Sequence, residues 1–83
     1  MYYVYIIKNE NGGIYTGYSE NIRKRLEAHN KELNKYTKGH KWELIYYEAY
    51  KAKEDAQKRE KQLKKSHNAR RWLKERIAKS INS

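Results

Sequence analysis

The stretch Tyr15-Thr16-Gly17-Tyr18-Ser19-Glu20-Asn21-Ile22-Arg23-Lys24-Arg25-Leu26-Glu27-Ala28-His29 decides the fold. Its first residues end a short tyrosine-rich strand at Gly17. A helix opens at Ser19 or Asn21, either of which can accept hydrogen bonds from the free amides of a first helical turn. On that helix, expected from about Asn21 to Leu33, Ile22, Leu26 and Leu33 recur at helical spacing, and Arg25 and His29 form an i, i+4 pair along the edge of the same stripe. Each residue has an ordinary explanation on its own: strand tyrosines pack, helix arginines are solvated and a lone histidine is usually structural. Together, a strand-end tyrosine, an arginine and a histidine converge and make a candidate site.

Working outward, Tyr2-Tyr3-Val4-Tyr5-Ile6-Ile7 is β-branched and aromatic throughout, the composition of a strand covered on both faces and therefore central. Asn9-Glu10-Asn11-Gly12-Gly13 is a turn, which makes Ile14 to Gly17 the second strand of a hairpin. Gly17 is expected where the backbone bends sharply or meets a close neighbour. Residues 34–41 are polar and read as a basic loop carrying Lys35, Lys38, His40 and Lys41 around Tyr36. A third strand spans Trp42 to Tyr50, with Trp42, Leu44 and Tyr46 expected on one face and Ile45, Tyr47 and Ala49 on the other.

From Lys51 the pattern is helical. Ala52, Ala56 and Leu63 mark the buried side, and Glu54 and Asp55 suit the positive end of the helix dipole. Glu60 falls between Ala56 and Leu63 on the border of that stripe, where a carboxylate needs a partner, either a Lys or Arg neighbour or a metal ion. Ser66-His67-Asn68 breaks the helix and caps the next, whose stripe is Ala69, Trp72, Leu73, Arg76 and Ile77. Residues 1–79 form one domain, with 80–83 expected as a short frayed tail. The element order predicts an α+β fold, a three-stranded mostly antiparallel sheet flanked by three helices.

Composition narrows the function. Twenty Lys and Arg against ten Asp and Glu in 83 residues leave a formal charge of +10, which points to a polyanionic partner, nucleic acid first and an acidic membrane surface second. The basic residues are mixed with acids on helices whose apolar faces suit a protein core rather than a bilayer. No cysteine is present, so disulfides and thiolate zinc sites are excluded and a reducing cytoplasm is compatible. No apolar run approaches a membrane span and no secretory leader is evident. Lys64, Lys65, Arg70 and Arg71, near the last pair of helices, join Lys35, Lys38, His40 and Lys41 as candidate nucleic-acid contacts.

Tyr3-Val4-Tyr5 on the first strand, Tyr15-Thr16-Gly17 on the second, Arg25 ten residues on and Glu60 on a later helix resemble the GIY-YIG nuclease domain. The likeness is to the small stand-alone members of that superfamily and covers almost the whole chain. The literal string Gly13-Ile14-Tyr15 overlaps the second half of the signature; the first half is degraded to Tyr3-Val4-Tyr5.

The resemblance implies metal-dependent hydrolysis of a phosphodiester, with DNA a better candidate than RNA. Tyr15, with Tyr5 beside it, would orient or deprotonate the attacking water, although a free phenol titrates near ~10 and needs a metal or cation to act as a base. Arg25 would bind a nonbridging oxygen as an always-charged fork donor. Glu60 would hold Mg²⁺ or Mn²⁺. His29 matches a frequent family histidine that could assist Tyr15 or contact phosphate. Some members place an asparagine a dozen or more residues beyond the metal glutamate; here Asn68 comes earlier, and Trp72 and Glu75 stand at the later positions. Two alternatives to an endonuclease follow: a nucleic-acid-binding module without chemistry, and a protein-interaction domain whose cations serve solubility.

Overall fold

A computed structural model describes residues 1–31 and 38–83. Its elements are β1 (Tyr2–Asn9), β2 (Ile14–Ser19), α1 (Ile22–Asn30), β3 (Trp42–Tyr50), α2 (Lys53–Lys65), α3 (His67–Arg76) and a last turn, α4 (Ala78–Ile81). The three strands form one antiparallel sheet in the order β2-β1-β3. The apolar first strand is indeed central, with Val4, Tyr5, Ile6 and Ile7 all buried.

The hairpin turn is closed by Asn9, whose Oδ1 accepts from the amides of Asn11 (2.9 Å) and Gly13 (2.8 Å) while Gly12 takes a positive φ of 84°. At the far end of β2, the strand runs two residues past Gly17. Asn21, rather than Ser19, caps α1, its Oδ1 accepting from the Lys24 amide at 3.1 Å. Ser19 supports that cap from outside, its Oγ accepting the Asn21 amide at 2.9 Å. The helix ends at Asn30, before the expected Leu33, which lies outside the described residues together with Lys35 and Tyr36. Asn30 latches the end of α1 to the start of β3: its Oδ1 accepts from the Trp42 amide at 2.6 Å and its Nδ2 donates to the Trp42 carbonyl at 3.1 Å.

Helices cover both faces. Ile22 and Leu26 of α1 pack with Tyr5, Ile7, Trp42 and Leu44. On the other face Ala56 and Leu63 of α2, Ala69 and Leu73 of α3, and Ile77 enclose Val4 and Ile6. A buried side chain such as Leu63 contributes roughly 1.5–3 kcal/mol by leaving water.

Strict alternation fails along β3. The register opposite β1 slips between Ile6, paired with Tyr46, and Ile7, paired with Leu44. The extra residue is a bulge at Ile45, and it re-aims the strand. Leu44 and Trp42 therefore face α1, while Tyr46 sits on the α2 side together with Ile45. There Glu48 accepts from Tyr46 (2.7 Å), Tyr50 (2.5 Å), and Nε and Nη2 of Arg59 (2.9 and 3.0 Å). Burial pushes the Glu48 carboxyl upward, but these donors outweigh it and hold the group below the ordinary carboxylate range.

Two further expectations need correction. Trp72 does not belong to the buried stripe of α3: Ala69, Leu73 and Ile77 already fill it, and the indole is 60% exposed. The chain beyond residue 79 continues as the helical turn α4, because Ile81 packs against the core and its carbonyl accepts from the Lys8 ammonium.

Candidate active site

Tyr5 and Gly17 are direct partners across β1 and β2. The Tyr5 ring lies over Gly17 so closely that a Cβ there would stand 2.2 Å from Cζ and Oη of the phenol. This is the close approach that the glycine permits. Tyr5 is 1% exposed, and its hydroxyl lies 2.9 Å from Nε2 of His29, itself fully buried at the last turn of α1. The expected stripe-edge histidine is thus the most buried residue of its helix, since the phenol satisfies a ring nitrogen that would otherwise be left without water.

The protonation states of this pair follow from its surroundings. Burial raises the Tyr5 phenol to about 12, against a lowering by the hydrogen bond and charge of Arg25. Burial and the Arg25 charge both lower the His29 imidazole from its ordinary value. At neutral pH the pair is therefore a protonated phenol and a neutral imidazole. Arg25 can only donate to the Tyr5 oxygen, while the phenol and the neutral imidazole share one hydrogen bond at 2.9 Å in which either can be the donor, according to the His29 tautomer.

Around the pair stand the other candidates. The Tyr15 ring, half-buried on the edge strand β2, meets His29 edge-on at 5.1 Å between centroids and Trp42 at 6.3 Å. The Lys64 ammonium lies 5.4 Å from the Tyr15 centroid, within cation–π reach, and 3.2 Å from Oε2 of Glu60 one turn earlier on α2. Glu60 and Tyr15 are both near enough to Tyr5 to raise its titration. Beside exposed Arg25, a groove of about 490 Å³ is lined by Tyr18, Ser19, Lys24 and Ala28. Tyr5, Tyr15, Arg25, His29, Glu60 and Lys64, from β1, β2, α1 and α2, form one cluster.

The remaining candidates are dispersed. His40 and Lys41 sit across the molecule's hairpin end, where Glu10 accepts from the Lys41 amide at 3.1 Å and lies 3.2 Å from Nδ1 of His40. Lys38 and Lys65 are exposed. Arg70 closes α2 by donating to the carbonyls of Leu63 (3.1 Å) and Lys64 (2.6 Å), which leaves Arg71 as its exposed neighbour. Two contributors to the site escape the sequence reading. Asn30 fixes the end of the helix that carries His29, signalled only by a polar residue at a helix terminus. Trp42 backs Tyr15 from the far strand, a contact between residues distant in the chain.

A divalent cation is what the resemblance adds, and the donor set can be compared with its needs. Among the described residues no three His, Cys, Asp or Glu side chains cluster as ligands. Mg²⁺ needs no such cage: it commonly keeps several waters and takes one or two carboxylates together with substrate phosphates. A single Glu60, half-buried and, among the described residues, paired with the exposed Lys64, fits that mode, as it fits Mn²⁺.

The model of the GIY-YIG catalytic domain matches residues 1–75. A UPF0213 protein of Clostridium perfringens is 43% identical over 67 residues, covering 78% of this chain and 72% of that protein. A UPF0213 protein of Staphylococcus aureus is 42% identical over 65 residues, covering 76% and 79% respectively. No solved structure matches.

Proposed function

The chain belongs to the GIY-YIG family, whose catalytic domain is of nuclease type, and on that premise we propose that it is a Mg²⁺- or Mn²⁺-dependent endonuclease. Its substrate in this proposal is DNA rather than RNA, structured or damaged DNA included, and its place is the cytoplasm. The supporting observation is the convergence at Tyr15, which meets both the His29 ring and the Lys64 ammonium that holds Glu60. Four elements bring an accessible phenol, a cation and a carboxylate to one point beside Arg25.

Each residue then has a role suited to its surroundings. Tyr15, the accessible phenol, positions the attacking water. Tyr5 keeps its proton and acts beneath it as a positioning residue, holding the His29 ring and the reach of Arg25. Arg25 binds a nonbridging phosphate oxygen as its charge grows in the transition state. Glu60 is the residue that would hold the metal in place of its pairing with Lys64, which would leave Lys64 to meet phosphate. A bound divalent cation supplies charge stabilisation at the leaving oxygen. Lys38, His40 and Lys41 contact the backbone further out. One observation favours a second reading, a binding module without chemistry: the Glu60 carboxylate already has a partner in Lys64.

Binding is tested through salt. With a charge of +10, affinity for DNA is expected to fall by two orders of magnitude or more between about 50 and 200 mM salt, because each neutralised phosphate releases counterions. Reversing Lys38 and Lys41 to Glu should weaken binding alike on unrelated sequences and flatten the slope. A binding constant indifferent to salt, measured by anisotropy, would remove the nucleic-acid reading altogether.

A further inference from the structure

Asn30 stands one residue past His29, at the end of α1, and as an exposed residue it adds nothing to the core. Its carboxamide nonetheless takes both backbone groups of Trp42: Oδ1 accepts from the amide at 2.6 Å and Nδ2 donates to the carbonyl at 3.1 Å. β3 lies at the edge of the sheet, so these groups have no further strand to meet among the described residues. A carboxamide, with an acceptor on one arm and a donor on the other, substitutes for the missing strand; an ionised aspartate, which only accepts, would satisfy half of the pair. The latch joins the two elements whose rings Tyr15 touches. His29 on α1 meets the Tyr15 ring at 5.1 Å and Trp42 on β3 meets it at 6.3 Å. The Tyr15 hydroxyl makes no hydrogen bond among the described residues, so its place depends on these ring contacts and on the Lys64 ammonium.

We propose that Asn30 is a positioning residue for the cleavage step: by fixing the end of α1 to the start of β3 it sets the His29 and Trp42 rings against which Tyr15 rests, and so aims the Tyr15 hydroxyl. The inference rests on the nuclease reading above, in which that hydroxyl positions the attacking water. The hydroxyl stands at the far end of its ring, so a small shift of α1 against β3 tilts the ring and displaces the oxygen. A displacement of about 1 Å at a reacting group can cost on the order of 10²-fold in rate. Asn30 carries no charge, so the electrostatic part of DNA affinity does not depend on it.

The test compares the wild-type chain with Asn30→Ala and Asn30→Asp in three measurements: cleavage of end-labelled DNA with Mg²⁺ or Mn²⁺, DNA affinity by anisotropy, and NMR spectra of ring-labelled tyrosine. A Tyr15→Phe sample identifies the Tyr15 signals, whose positions depend on the aromatic rings beside them. Asn30→Ala should lower kcat per folded molecule about tenfold or more, with KM and DNA affinity within about twofold of wild type, and should shift the Tyr15 signals. Asn30→Asp keeps the bond from the Trp42 amide and loses the other, so it should show the same changes at smaller size, and it carries the test should Asn30→Ala not fold. Cleavage per folded molecule equal to wild type, a loss confined to KM, or Tyr15 signals that stay in place overturns the positioning role while leaving the nuclease reading intact. A wild type that cleaves no DNA with either metal removes the nuclease reading and this inference with it.

Discussion

Glu60→Ala is expected to lower DNA cleavage by at least ~10²–10³-fold, the scale of losing one transition-state charge partner, while DNA binding stays intact or tightens. Binding should not suffer because the substitution removes a negative charge from a basic surface and frees Lys64 for phosphate. Stability should hardly change either: the Glu60–Lys64 pair is an i, i+4 contact with Lys64 46% exposed, and such pairs contribute about 0.3–0.5 kcal/mol. Arg25→Ala should also lose cleavage, but with weaker binding, since its guanidinium meets phosphate already in the ground state. If Glu60 served only to pair with Lys64, Glu60→Ala would leave cleavage per folded molecule unchanged.

Gly17→Ala should unfold the site from beneath. The new methyl would stand 2.2 Å from Cζ and Oη of Tyr5, and that side chain cannot swing away cheaply because it is fully buried and its hydroxyl is hydrogen-bonded to His29. Overpacking of this kind costs roughly 1–3 kcal/mol. For a domain of this size that corresponds to a fall in melting temperature of about 5–20 °C. The hydrogen bond from Tyr5 to His29 should break even in molecules that remain folded, taking cleavage with it. Combining Gly17→Ala with Tyr5→Ala should make the alanine at 17 nearly neutral, the coupling that a double-mutant cycle reads. Additive losses would show that the ring is not the obstacle.

The strands and the starts of α1 and α3 were legible because each depends on local chemistry: the apolar run of β1, the Asn and Gly residues of the hairpin, and the caps Asn21 and Ser66, whose side chains accept from Lys24 and Ala69. The faces of β3 were not, because a bulge at Ile45 arises from the fit between two strands and leaves no mark in a period-2 pattern. Trp72 was misplaced for a related reason, as helical spacing marks a stripe without saying how wide the core beneath it is. Among the candidate residues, Tyr5, Tyr15, Arg25, His29 and Glu60 do lie together. The depth of each was hidden: Tyr5 and His29 are sealed under the surface while Tyr15 and Arg25 reach it, a division set by Gly17 and by the Asn30 latch.

The central claim is that this cluster hydrolyses phosphodiester bonds with a divalent metal. Its most direct test is the cleavage of end-labelled DNA, single-stranded, duplex and branched, by the wild-type protein with Mg²⁺ and with chelator, beside a Glu60→Ala preparation purified identically. The account predicts shortened products with Mg²⁺ or Mn²⁺, none with chelator and none from Glu60→Ala. Binding of these substrates without cleavage under any metal condition, or equal cleavage by both preparations, would contradict it.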